Sequence, residues 1–186
     1  MPHNPTDPGR FDGRDDLICC SIEYPNTYYF VTVRDRDPLF KDWVVLLIGP
    51  SYLWSPDTWF CPCNAARSRG RYIKAGIEGF GSLYGETSPG INFSRPSGHL
   101  PAAPTDIQAE VMLKEPIPLD SITGIVVQSE EQAQREIYRL NLQGISIDNS
   151  IYIAPDIFER NTLSRLIQRG VSAKATMHRK GGRHGR

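Results

Sequence analysis

Apolar residues in this chain fall into short blocks separated by polar, Pro- and Gly-rich stretches, not into long periodic runs. "LICCSI" from Leu17 and "YYFVTV" from Tyr28 are apolar, aromatic and β-branched, and the turn-forming "EYPNT" divides them. They predict two short strands. "DWVVLLI" from Asp42 is a continuous apolar run ended by Gly49-Pro50, which predicts a strand buried on both faces. "SYLWSPDTWFCPCN" is aromatic but broken by proline and reads as loop. From Ala65 to about Leu83, Ile73, Ile77 and Phe80 recur at helical spacing, against the opposing preference of Gly70, Gly76 and Gly79.

Gly, Pro and Ser dominate from Gly85 to Pro104, a loop of a length that is usually functional or disordered. Strands are predicted at Glu110–Leu113 and at "SITGIVVQ". A helix follows, with Ser129 as N-cap, Gln132 three residues on, Ala133, Ile137 and Leu140 as its apolar face, and Gly144 beyond its end. "IYIA" predicts a last strand. "NTLSRLIQRG" predicts a short helix with Leu163, Leu166 and Ile167 inward and Gly170 as its stop. The pattern is α+β, strand-rich, with helices inserted between strands. Residues 1–170 form one domain in this reading, and 171–186 a basic flexible tail carrying Lys174, Arg179, Lys180, Arg183 and Arg186.

Composition narrows the class. With 39% hydrophobic residues in 186, the chain can bury a proper core. Lys+Arg and Asp+Glu both number 21, so net charge alone suggests no polyanionic partner. The first ten residues hold no apolar core of a secretory signal, and the longest apolar run, "WVVLLI", is too short to cross a bilayer. Cys19-Cys20 and Cys61-Pro62-Cys63 lack the spacing of a zinc knuckle, so no metal is expected. Reduced thiols and a cytoplasmic location are expected with no membrane association.

Glu110 stands out, because a carboxylate heads an otherwise apolar strand directly after the long loop. Such a group can stabilise an oxocarbenium-like centre or accept a proton from a nucleophile. The same placement also suits a solvent-facing strand end. Gln108, two residues earlier, would share its face if both were extended. Arg67, Arg71 and Lys74 would line one face of a helix and could follow a phosphate backbone, or be an ordinary solvated face. No G-x-S-x-G elbow, Walker loop or G-x-G-x-x-G occurs. Of the histidines, His3, His99, His178 and His184, only His99 is placed for a triad, and nothing near it completes one.

"RFDGRDDLICCSIEYPNTYYF", "FKDWVVLLIGPSYLW", "FCPCNAA" and "PTDIQAEVML", in this order, resemble the DarT-like family of nucleic-acid ADP-ribosyltransferases from about Gly9 to Arg169. The resemblance implies an ADP-ribosyltransferase-like fold of two small packed sheets with an NAD cleft. It implies transfer of ADP-ribose from NAD to a base, typically thymidine in single-stranded DNA, with release of nicotinamide. It further implies a toxin countered by a macrodomain antitoxin, acting as a monomer. Glu110 matches the family's catalytic glutamate, and Gln108 the first position of its Q-x-E pair, placing the acceptor. Arg10 is the nearest match to an NAD-contacting arginine, Ser21 to a nicotinamide-side serine, and the stretch from Gly85 to Ile107 to the acceptor loop. The family's leading tyrosine–histidine strand has no counterpart before "RFDG". A non-catalytic module of the same fold that binds nucleic acid through Arg67, Arg71, Lys74 and the tail is therefore the alternative.

Overall fold

The computed structural model describes residues 11–178, apart from 38, 40, 115 and 146–149. Two four-stranded sheets organise them. The first has the order β1 (Leu17–Cys20), β5 (Glu110–Lys114), β3 (Trp59–Cys61) and β4 (Lys74–Ala75), antiparallel throughout. The second has the order β2 (Val45–Ile48), β6 (Ile122–Val127), β7 (Ser150–Ile153) and β8 (Thr176–Met177). Its β6–β7 pair is parallel and is joined through the helix α3 (Glu130–Leu142), as a parallel pair requires a crossover. This mixed two-sheet architecture with four helices is the fold class expected from the sequence.

α3 forms as its sequence predicts. The Ser129 hydroxyl accepts from Gln132 N–H at 3.2 Å, and Gly144 takes a positive φ of 69° after the last turn. Gln132 Oε1 accepts from Gln128 N–H, the residue before the cap, at 3.0 Å, and its Nε2 donates to the Trp43 carbonyl at 2.7 Å. α4 (Arg160–Gln168) likewise buries Leu163 and Ile167, and Gly170 ends it at φ +68°.

Four expectations need correction. "YYFVTV" is not a strand but the core of α1 (Thr27–Arg36). Asn26 caps it through Tyr29 N–H at 3.2 Å, and Phe30 packs edge-on against Trp43 and Phe158 at 5.5 and 5.6 Å. Capping and tertiary packing outweigh the β-preference of its residues. "DWVVLLI" supplies β2, but as an edge strand paired only to β6, with Leu46 and Leu47 exposed at 48% and 36%. "TWFC", read as loop, contains β3. The stretch from Ala65 to Leu83 is not one helix: Ser68 and Arg69 take φ of 56° and 54°, β4 follows, and only Gly76–Ser82 forms the helix α2. There Gly79 allows a contact no side chain could make, since a Cβ would lie 2.4 Å from the Lys74 carbonyl oxygen. The chain beyond Gly170 returns to the fold, with β8 pairing β7 and His178 N–H donating to the Ile151 carbonyl at 2.8 Å.

Asp42 ties α3 to the approach of β2. Arg135 grips it with two bonds at 3.0 and 2.8 Å and Arg139 with one at 3.1 Å. The Arg135 hydrogen bond is the main cause that holds the Asp42 carboxyl below its usual range. A depressed carboxylate contributes stability above its unfolded pKa, lost as pH falls through the folded value. Asp42→Asn is expected to cost about 1 kcal/mol at pH 7, since both arginines are half exposed. Its deficit in melting temperature relative to wild type should close as the pH is lowered into the acid range; a deficit unchanged by acid would contradict this account.

Candidate active site

β5 lies inside the first sheet, between β1 and β3, so its backbone is fixed on both sides. Glu110 is its first residue and sits opposite Cys61 of β3. On the other side the ladder ends at Cys20–Val111, one pair before Ser21 would face Glu110. Strand alternation sets Glu110 and Met112 on one face, and Val111 and Leu113 on the other with Phe60. Glu110 is half-buried, and its Oε1 accepts from Asn64 Nδ2 at 3.0 Å. Asn64 Oδ1 in turn accepts from Ala66 N–H at 3.1 Å, in the turn that follows β3.

Two thiols flank this carboxylate. Cys61 and Cys63 are buried with their sulfurs 3.9 Å apart. The Cys61 thiol is pushed up, chiefly by its contact with Cys63 and then by burial; Cys63 is lowered by the same contact and by the Arg67 charge. Burial pushes Cys20 up to about 11. No disulfide joins cysteines among the described residues, and of the four cysteines only Cys19 is exposed. Under native conditions one thiol per chain, Cys19, is expected to react quickly with a disulfide reagent, and Cys19→Ser should abolish that fast phase. A fast phase that survives in Cys19→Ser would place a reactive thiol elsewhere.

The residues from Leu83 to Ala109 form no helix or strand, yet they are closely tied. Arg95 is the hub: Nη1 donates to the Ala103 carbonyl and Thr105 Oγ1 at 2.9 and 3.1 Å, and Nη2 to the Leu100 and Pro101 carbonyls at 2.9 and 3.2 Å. Arg67 donates to the Pro89 carbonyl and meets Asp106 Oδ2 at 3.4 Å. Gly90, at φ +79°, makes room for that guanidinium, because a Cβ there would come within 2.9 Å of it. Asp106 is buried, which raises its carboxyl, and Gln108 N–H and Arg67 partly offset this. Ser88 Oγ donates to the Pro62 carbonyl at 2.6 Å, fastening the loop to the turn that carries Asn64. His99 lies within this loop, its Nε2 3.1 Å from the Pro104 carbonyl, and burial lowers its pKa.

Two cavities border these elements. A cleft of about 1000 Å³ runs between the sheets, lined by Ser21, Tyr24, Leu47, Val111, Leu113 and Tyr152 among others. A smaller one of about 330 Å³ is lined by Tyr28, Phe93, His99, Asp106 and Gln108. Glu110 lines neither. Ser21 therefore reaches the main cleft at the same sheet end as Glu110, its hydroxyl accepting from Asn26 N–H at 3.2 Å. Gln108 departs from expectation. It lies in a turn, with its N–H on Asp106 Oδ1 at 2.9 Å, so it does not share a strand face with Glu110. The common helical face of Arg67, Arg71 and Lys74 is also absent, since Lys74 is in β4; Arg71 and Lys74 are exposed while Arg67 holds the loop. Arg10 lies outside the described residues. No cluster of three or more His, Cys, Asp or Glu suited to a metal ion occurs among the described residues. No helix there is long and apolar enough to cross a membrane. Asn64 is what sequence reading missed: "FCPCNAA" marked the segment without marking the residue that touches Glu110.

A family model described as "ssDNA thymidine ADP-ribosyltransferase, DarT" matches residues 3–159. The chain belongs to the DarT family. Among solved structures, DarTG of Thermosipho africanus in complex with ADP-ribose aligns with a TM-score of 0.50 at 15% identity. That alignment covers 77% of this chain and 36% of the other, so the chain spans about a third of that protein. At this identity the likeness speaks to the fold, and it agrees with the two-sheet DarT architecture. No curated protein matches the chain.

Proposed function

We propose that the chain transfers ADP-ribose from NAD to a base, thymidine in single-stranded DNA, with release of nicotinamide. The observation that carries this reading is the family match across residues 3–159, with a half-buried carboxylate, Glu110, at the head of β5. As the nicotinamide–ribose bond lengthens, positive charge passes from the pyridinium ring to the ribose. The Glu110 carboxylate stabilises that charge and takes a proton from the attacking base. Ser21, at the same end of the sheet, faces the nicotinamide side. Arg10 contacts NAD and Gln108 orients the acceptor from the adjacent turn. Exposed Arg71 and Lys74 follow the phosphates of the strand, while Arg67 shapes the loop against which it lies. A toxin role, with a macrodomain partner that removes the modification, belongs to the same proposal.

The test is incubation of the full chain with labelled NAD and a thymidine-containing oligonucleotide. Mass spectrometry should find one ADP-ribose on the base and an equal amount of free nicotinamide. Salt-sensitive DNA binding with no nicotinamide released would overturn the catalytic reading in favour of a binding module.

A further inference from the structure

We propose that Asn64 is a positioning residue that sets the Glu110 carboxylate in its working rotamer, an inference that rests on the reading of Glu110 given above. Asn64 is held at both ends of its amide. Oδ1 accepts from Ala66 N–H at 3.1 Å, and Nδ2 donates to Glu110 Oε1 at 3.0 Å. An ionised carboxylate only accepts and a backbone N–H only donates, so the opposite amide orientation would set like dipoles against both neighbours. The backbone is held as well, because the Asn64 carbonyl accepts from Arg67 N–H at 3.0 Å.

The segment thus touches β5 twice. Cys61 pairs with Glu110 through the ladder, and three residues later the turned chain brings Asn64 back onto the side chain. The first contact fixes where the Glu110 Cα lies, and the second fixes where its carboxylate points. A glutamate side chain has three rotatable bonds and loses considerable entropy when held. A donor supplied by a rigid turn places the charge before substrate arrives, which is how electrostatic stabilisation becomes effective. Among the described residues the carboxylate acts on the buried Cys61 and Cys63, and Cys63 in turn feels Arg67 and Asp106.

Asn64→Asp separates this role from mere support of the turn. The replacement keeps an oxygen for Ala66 N–H but loses the donor to Glu110 and puts two carboxylates in contact. If Asn64 only caps the turn, Asn64→Asp should rescue what Asn64→Ala loses. If it positions Glu110, both variants should lower kcat tenfold or more at pH 8, with KM for NAD within threefold. Asn64→Asp should then regain activity as the pH falls and the pair takes up a proton, because a protonated carboxyl is again a donor. Wild-type kcat and an unaltered pH profile in Asn64→Asp would overturn the proposal.

A second measurement is independent of turnover. The Glu110 carboxyl resonance in the full chain should gain a coupled titration step in Asn64→Asp that wild type lacks. Identical titrations would also overturn the proposal. A wild-type chain that releases no nicotinamide would defeat the proposed reaction while leaving this contact to be judged by the resonance alone.

Discussion

Glu110→Gln is expected to reduce nicotinamide release and base modification on the order of a hundredfold or more, equivalent to ~3 kcal/mol of lost transition-state stabilisation. The substitution keeps the shape of the side chain and an oxygen for Asn64 Nδ2 while it removes the charge. NAD already carries a positive pyridinium ring in the ground state, and the reaction moves that charge onto the ribose. A carboxylate nearer the ribose therefore gains more in the transition state than on binding, and kcat should fall much more than KM rises. The melting temperature should stay within a degree or two of wild type, because the neutral amide preserves the contact. Retention of more than half of wild-type kcat would remove Glu110 from the chemistry, whatever the fold.

That a carboxylate heads β5 was legible in the sequence for a plain reason. Val111, Met112 and Leu113 form an apolar run that begins where the Pro- and Gly-rich loop stops, and burial of all three follows. α3 was equally legible, since its cap, apolar face and terminal glycine lie within sixteen residues of one another and agree. α1 was not. Its aromatic and β-branched residues favour a strand locally, and what makes it a helix is the Asn26 cap together with rings from Trp43 and Phe158, the latter far along the chain. β2 misled in the opposite sense: six apolar residues in a row, Trp43 to Ile48, signal double burial, yet the strand is an edge whose leucines border the cleft.

The site was legible only in part because its contacts are long-range. The Asn64–Glu110 bond spans 46 positions, and the Arg67–Asp106 pair spans 39. Periodicity reports which face of an element is apolar; it carries no information about which polar tips meet across a fold. Arg67 shows the consequence. Among Arg69, Arg71 and Lys74 it reads as one more solvated cation, whereas in the fold it joins Ser88 in pinning the loop to the turn beside Glu110.

Arg95→Ala should show how far that loop depends on a single side chain. Four acceptors converge on the Arg95 guanidinium: the carbonyls of Leu100, Pro101 and Ala103, and Thr105 Oγ1. Thr105 itself anchors the far end of the loop, with its N–H on the Leu83 carbonyl at 2.8 Å and its hydroxyl on the Gly85 carbonyl at 2.5 Å. Removal of the donor leaves these carbonyls without their partner in a half-buried setting, where hydrogen bonds to a charged group are worth about 1.5–3 kcal/mol each and do not simply add. A loss of about 3 kcal/mol is expected, which lowers the melting temperature by roughly 6–12 °C in a domain of this size. Arg95→Lys should recover little of it, since one ammonium cannot reproduce a planar fork directed at four oxygens. Limited proteolysis should then cut first between Glu86 and Pro104. On the proposed reading, in which the DNA strand lies against this loop, the kinetic signature differs from that of Glu110→Gln: displacement of the loop should weaken transfer to DNA while NAD hydrolysis without DNA persists, because Glu110 remains seated on β5 between β1 and β3. Equal loss of both activities would mean that the loop holds the carboxylate as well as the acceptor, and an unaltered melting temperature would mean that the Arg95 bonds do not support the loop.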